Sequence, residues 1–250
     1  DLLKTKLKHV PRSVEVSTAT RVSLSAERSP STTYVVTSQD IKLYGLRSLG
    51  DILSTMPGLY LTRDGYFSYI GIRGLGRSAD FNSRLLFLID GTRANENISD
   101  AGFLGSDALI DVESIERVEF APGPGSALYG NNAFFGVVNI ITKGVDRLRG
   151  ITAQVQLDNN QQQKVHLSWA HRADANWEAW LSGSLSDWQE MPLPYPVADD
   201  FLPYRSQLQN LEQENYHRLQ AGLKFSGWTL QGALHRRERS SPQPLGSMDQ

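Results

Sequence analysis

Ile151-Thr152-Ala153-Gln154-Val155-Gln156-Leu157-Asp158 alternates apolar and polar residues one for one. Successive side chains of a β-strand point to opposite faces, so this stretch is a strand with one apolar and one polar face. The beat returns four times. Val165, Leu167 and Trp169 alternate with Lys164, His166 and Ser168. Trp177, Ala179, Leu181, Gly183 and Leu185 form a third apolar set, with Trp180 the break on the polar side. Leu219, Ala221, Leu223 and Phe225 alternate with Gln220, Gly222, Lys224 and Ser226, and Trp228, Leu230, Gly232 and Leu234 close the series. The spacing predicts five consecutive antiparallel strands in residues 148–250. Ala173-Asp174-Ala175-Asn176 and Ser226-Gly227 are tight links, whereas the stretch from Gln189 to Glu214 is long and Pro-rich. Short turns on one side and a long loop on the other suit a membrane barrel, although the link between the first two strands is short for an external loop and a soluble β-sandwich also alternates. Five strands cannot close without two bare edges and a large exposed apolar face. We therefore expect the natural chain to continue past Gln250.

Upstream, residues 31–147 read differently. Tyr34-Val35-Val36 is a short strand, and Thr37 with Asp40 three residues on is a capping box that opens a helical turn to Leu43. Ser48 and Asp51 repeat the box, and the second helix runs to Met56 before Pro57-Gly58 stops it. Strands are expected at 59–62, 69–73, 84–89, 117–120 and 137–142. The segment is mixed α and β, without the period of roughly 20–50 residues that marks a solenoid. Residues 1–30 carry Lys4, Lys6, Lys8, Arg12, Arg21 and Arg28 against Asp1, Glu15 and Glu27, are rich in Ser and Thr, and read as extended.

Composition removes several function classes. The 250 residues hold 25 Lys+Arg against 27 Asp+Glu, a net charge of -2, so no overall field favours nucleic acid. Cysteine is absent, which removes disulfides, thiolate metal sites and a Cys nucleophile. The run Leu85-Leu86-Phe87-Leu88-Ile89 falls far short of the ~18 apolar residues of a spanning helix, a test that says nothing against spanning strands. Gly71-Ile72-Arg73-Gly74-Leu75-Gly76 lacks the dinucleotide-binding spacing, and Gly123-Pro124-Gly125-Ser126-Ala127-Leu128-Tyr129-Gly130 lacks the Lys of a phosphate loop. Their glycines read instead as positions of positive φ or close backbone approach. Ser126 is not in a nucleophile elbow. His9, His166, His171, His217 and His235 share no metal-ligand spacing, and His166 and His171 fall on opposite faces of a strand. We expect no enzyme, no cofactor and no metal site.

What remains is an ordered set of short motifs. Val35-Val36-Thr37-Ser38-Gln39-Asp40-Ile41 leads to Ser48-Leu49-Gly50-Asp51-Ile52-Leu53 and Met56-Pro57-Gly58. Ile72-Arg73-Gly74, Leu88-Ile89-Asp90-Gly91 and Ile115-Glu116-Arg117-Val118-Glu119 follow. The series ends in Gly123–Gly130 and Gly136-Val137-Val138-Asn139-Ile140-Ile141-Thr142-Lys143. In this order the blocks resemble the plug domain and first barrel strands of a TonB-dependent outer-membrane receptor. The resemblance rests on motifs from about residue 14 to 146 and on pattern alone beyond.

The resemblance implies an α+β plug domain followed by antiparallel transmembrane β-barrel strands, the opening of a barrel of about 22 strands. Residues 1–30 would be an N-terminal extended segment with a TonB-box-like stretch, 31–147 the plug, and 148–250 the first five barrel strands. The family's activity is uptake of a scarce, bulky solute (an iron-siderophore, haem or cobalamin) across the outer membrane of a Gram-negative bacterium, with the plug gating the barrel. The implied partners are a TonB-type energy-transducing protein, outer-membrane lipid and a small-molecule substrate such as a metal chelate. Glu15-Val16-Ser17-Thr18-Ala19 is the candidate for the segment on which the energy-transducing protein pulls, an extended stretch able to add a strand to a partner's sheet edge. Its Ser17 stands where Val or Thr is common. Arg73 and Arg117 match two plug arginines that pair with barrel glutamates, although Glu116 or Glu119 could serve Arg117 locally. Arg63, Tyr66, Phe67, Arg93, Asn95 and Asn97, in loops between strands, are the candidate ligand contacts, because they offer charge, stacking and amide donors. The alternative is a soluble or surface-attached binding module that reuses a plug-like domain.

Overall fold

The computed structural model describes residues 15–16, 18, 24–25, 32–63, 67–77, 80–148, 150–157, 163–174, 177–189 and 213–240. The chain divides into two compact units, 1–144 and 145–250.

In the first unit, β1 (Glu15–Val16) pairs antiparallel with β2 (Leu24–Ser25). A five-stranded mixed sheet forms the centre. Its members are β3 (Tyr34–Thr37), β6 (Leu85–Ile89), β7 (Thr92–Arg93), β8 (Ile115–Pro122) and β9 (Gly136–Thr142), in the order β3-β8-β9-β6-β7. β4 (Leu59–Arg63) and β5 (Ser68–Ile72) form a separate antiparallel pair. The helices are α1 (Ser38–Tyr44), α2 (Leu49–Ser54) and α3 (Ser126–Tyr129).

β6 explains its own continuous apolar run. Leu85 and Phe87 enter a large core with Ile52, Leu53, Leu104, Val118, Phe120 and Val138. Leu86 and Leu88, on the opposite face, enter a smaller cluster with Ala133 and Val137, against which Tyr129 packs. A strand buried on both faces has no polar side to alternate with. β6 also pairs parallel with β9, the arrangement in which two-sided burial is usual.

α1 and α2 start where their capping boxes predict. The Thr37 hydroxyl accepts the Asp40 N–H while Asp40 accepts the Thr37 N–H, and Ser48 and Asp51 repeat the exchange. α1 ends at Gly45, whose φ of +63° is the left-handed value a glycine adopts without strain. Two tight turns share one chemistry. Arg73-Gly74 (φ +52° and +81°) and Asp90-Gly91 (φ +49° and +81°) each place two consecutive residues in the left-handed region, as a two-residue type I′ turn demands. Ile72 and Leu75 close the first turn by exchanging both backbone hydrogen bonds, at 2.7 and 2.8 Å.

The second unit is an antiparallel meander: β10 (Gly150–Leu157), β11 (Gln163–Asp174), β12 (Trp177–Gln189), β13 (Gln213–Phe225) and β14 (Trp228–Ser240) pair in sequence order. Ser226-Gly227 is a further turn with two positive φ values. The short helix α4 (Val145–Leu148) precedes the meander, and its Val145 and Leu148 pack with Ala170 and Trp180. Trp180, the residue that broke the alternation, lies across Gly222 so closely that a Cβ there would sit 1.8 Å from its ring. The meander is inside-out relative to a water-soluble sheet. Ile151, Leu157, Trp228, Leu230 and Leu234 are more than 70% exposed, whereas Lys164, His166, Ser168, Ser182, Ser184 and Ser186 are buried. No described helix is long and apolar enough to cross a membrane, which leaves crossing by strands open.

Candidate functional site

β8 carries Arg117 and Glu119 two residues apart, so both side chains project from one face of the central sheet. That face is opposite the large core, which takes Val118 and Phe120. Arg117 Nε donates to Glu119 Oε1 at 2.8 Å, and the Glu119 side chain is fully buried. Its second oxygen, Oε2, accepts from the Thr18 hydroxyl at 2.5 Å and from the Thr18 N–H at 3.2 Å. The Tyr129 hydroxyl of α3 donates to the Thr18 carbonyl at 2.9 Å. Thr18 is thereby buried, 1% exposed, although it lies 101 residues from Glu119 in sequence. Of the other residues in the TonB-box-like stretch, Glu15 and Val16 form β1, while Ser17 and Ala19 lie outside the described residues.

Arg73 occupies the tip of the Ile72–Leu75 turn, where it is exposed. Its own N–H donates to the Gly58 carbonyl at 2.8 Å, which fixes the turn against the residue before β4. Arg117 is held locally by Glu119.

The loop after β6 is built by its own polar groups. The Asn95 amide oxygen accepts the Phe87 N–H, and its NH2 donates to the Leu85 and Asp100 carbonyls, all within 3.0 Å. Both amide hydrogens are thus committed to backbone, and Asn95 shapes the loop where the sequence reading had it offering donors to a ligand. Glu96 accepts from the Ser99 N–H, the Ser99 hydroxyl and the Ile98 N–H, each at 2.7 Å. Those bonds, the Ser99 backbone first, hold the Glu96 carboxyl below the usual carboxylate range. Arg93 pairs with Asp100 and donates to Asn132 at 2.9 Å. Asn97 is exposed, next to Ile98 at the loop tip, which is 96% exposed. In the other loop Arg63 pairs with Asp51 at 2.6 Å, Phe67 meets Phe81 edge-on at 5.2 Å, and Tyr66 lies outside the described residues.

Sequence reasoning missed three residues that organise these elements. Glu119 entered as a motif residue and a local partner of Arg117, and Tyr129 as a motif residue only; neither was given a role toward Thr18. Asn82 (φ +60°) was also missed: its amide joins Ile70, Ser68 and Gly102 at 2.7–3.0 Å. β8, with Glu116 and Arg117 beside Glu119, reads as an ordinary alternating strand and offers no local signal that Glu119 is buried.

The sequence model for the TonB-dependent Receptor Plug Domain matches residues 25–137. Those residues are a TonB-dependent receptor plug domain. The chain also matches a curated relative, the "Vitamin B12 transporter BtuB" of Vibrio vulnificus, at 35% identity over 165 residues, 64% of this chain. The matched stretch spans only 25% of that transporter's length. Among solved structures, the siderophore receptor PiuA from Acinetobacter baumannii matches with a TM-score of 0.67 over 91% of this chain and 29% of its own, at 17% identity. The pyoverdine outer membrane receptor FpvA from Pseudomonas aeruginosa PAO1 matches at 0.65 over 90% of this chain and 30% of its own, again at 17% identity. At such identity the structural matches establish fold: a plug domain followed by antiparallel strands of a TonB-dependent receptor barrel.

Proposed function

We propose that the plug and its strands belong to an outer-membrane receptor that takes up a scarce, bulky solute of the iron-siderophore, haem or cobalamin class. The observation that carries this reading is the succession of a plug domain and a meander whose apolar side chains are exposed while its polar ones are buried. In water such a face is costly, at about 25 cal/mol for each Å² left exposed; against lipid it is the stable arrangement. The relative named a vitamin B12 transporter and the receptors solved as siderophore or pyoverdine receptors support the solute class.

Within this reading residues 15–19 are the stretch engaged by a TonB-type energy-transducing protein, and the plug boundary lies near residue 148. Arg73 and Arg117 latch the plug to barrel carboxylates. A guanidinium has five N–H donors, so Arg117 can keep Glu119 and still take a second carboxylate. Arg63, Tyr66, Phe67, Arg93 and Asn97 contact the solute, with Asn95 and Glu96 holding the second loop in shape. A preformed second loop loses little entropy on binding, which favours capture at low concentration.

Equilibrium binding to the purified full-length receptor tests this. A ferric catecholate, a ferric hydroxamate, haem and cyanocobalamin form the panel. We expect one class to bind at micromolar concentration or below, and Arg93→Ala or Arg63→Ala to weaken it about tenfold, the usual loss of a charge-assisted contact. Absence of binding by all four, at concentrations up to the solubility limit, overturns the solute class.

A further inference from the structure

The buried carboxylate of Glu119 has a consequence for how the N-terminal segment leaves the plug. From its position we infer that Glu119 and Tyr129 form a clasp that docks the segment at Thr18, and that this clasp, more than the β1–β2 pairing, sets how often residues 15–19 become available. The inference rests on the reading of that stretch as the one a partner engages.

The clasp closes on Thr18 from both sides of one residue. Glu119 Oε2 takes the hydroxyl and the N–H, and the Tyr129 hydroxyl takes the carbonyl, so three polar groups of Thr18 are satisfied by the plug. Two of those bonds end on an ionisable group with no exposure. Hydrogen bonds to a charged group are roughly twice as strong as neutral ones. By contrast β1 and β2 are two residues each, and isolated two-stranded pairs are marginal. The clasp is therefore the stronger of the two holds.

Its placement also decides what a pull would reach. Glu119 sits in β8, between β3 and β9 in the sheet. Tyr129 packs against Leu86, Leu88, Ala133 and Val137, the small cluster on the same face. A force on Thr18 is borne first by β8, an interior strand of the sheet, and by α3. Arg117 shares Glu119, so a group that draws Arg117 away changes the environment of the same carboxylate that holds Thr18.

The test uses the purified full-length receptor with Val16→Cys, labelled by a hydrophilic maleimide, against the parent receptor without that substitution. Thr18→Val and Tyr129→Phe keep side-chain shape and remove one donor each; Glu119→Gln keeps shape and removes the charge. Each is expected to raise the labelling rate of the thiol about fivefold or more, and Thr18→Val with Tyr129→Phe further still. Thr62→Val, which deletes a hydroxyl in β4, serves as control for general loosening and should leave the rate unchanged. Rates within about twofold of the Val16→Cys receptor for all three clasp variants overturn the inference, as does an equal rise with Thr62→Val. Binding of an energy-transducing protein's periplasmic domain is measured on the same clasp variants with Val16 intact and unlabelled. Faster labelling with no binding in any sample keeps the clasp and overturns the reading of residues 15–19 as a partner-engaging stretch.

Discussion

Gly136 shows how far a single residue can be constrained by the backbone around it. A Cβ at this position would lie 2.7 Å from the Phe120 ring and 2.8 Å from the Ala121 carbonyl, closer than side chains approach. The ring could shift, but the carbonyl belongs to the β8–β9 ladder. Gly136→Ala should therefore cost about 1–3 kcal/mol, the range for overpacking. Hydrogen exchange of the β8 and β9 amides in the full-length receptor should accelerate by about tenfold or more; unchanged exchange would show that the ladder absorbs the methyl group. The same reasoning makes other motif residues intelligible. Asp90 enters a left-handed turn with Gly91 and also accepts from the Thr142 N–H and hydroxyl, at 2.9 and 2.7 Å. Asn139 accepts the Gly91 N–H at 3.2 Å. In the sequence, Asp-Gly and the Asn inside an apolar strand are only pattern; in the fold they tie the β6–β7 turn to β9.

At the scale of elements, legibility followed the locality of the forces. α1 and α2 could be read because a capping box is spelled within four residues, and the structure has both boxes closed. Ser48→Ala should destabilise α2 by about 1 kcal/mol, seen as faster exchange of its first-turn amides, with Ser48→Thr retaining most of the protection. Equal effects of the two substitutions would remove the cap from the explanation. β7 and α3 were not foreseen, since two and four residues carry no period to detect. The loop of residues 92–104 could be recognised as a loop, but not that Asn95 spends its amide inside it. Glu119 stood among the motif residues, yet its hold on Thr18 spans 101 positions and no local pattern encodes such a contact. Trp180 read as a flaw in the alternation until Gly222 showed the space it fills.

At the scale of the molecule, the plug domain and the meander make opposite demands on solvent. The plug buries its apolar residues in two clusters on either face of one sheet. The meander exposes its apolar residues, with Ile151 at 79% and Trp228 at 81%, while Lys164 and His166 are buried. A single water-filled environment satisfies the first and not the second, which is why the account places the strands in a membrane. The alternation was fully visible in the sequence; which of its two faces meets solvent was not, because a period of two residues does not tell inside from outside. The most direct test of the account is accumulation of the labelled solute by cells that express the full-length receptor, with the energy-transducing protein present or deleted. The account predicts accumulation that requires both proteins. Accumulation that is unchanged when the energy-transducing protein is deleted would contradict it.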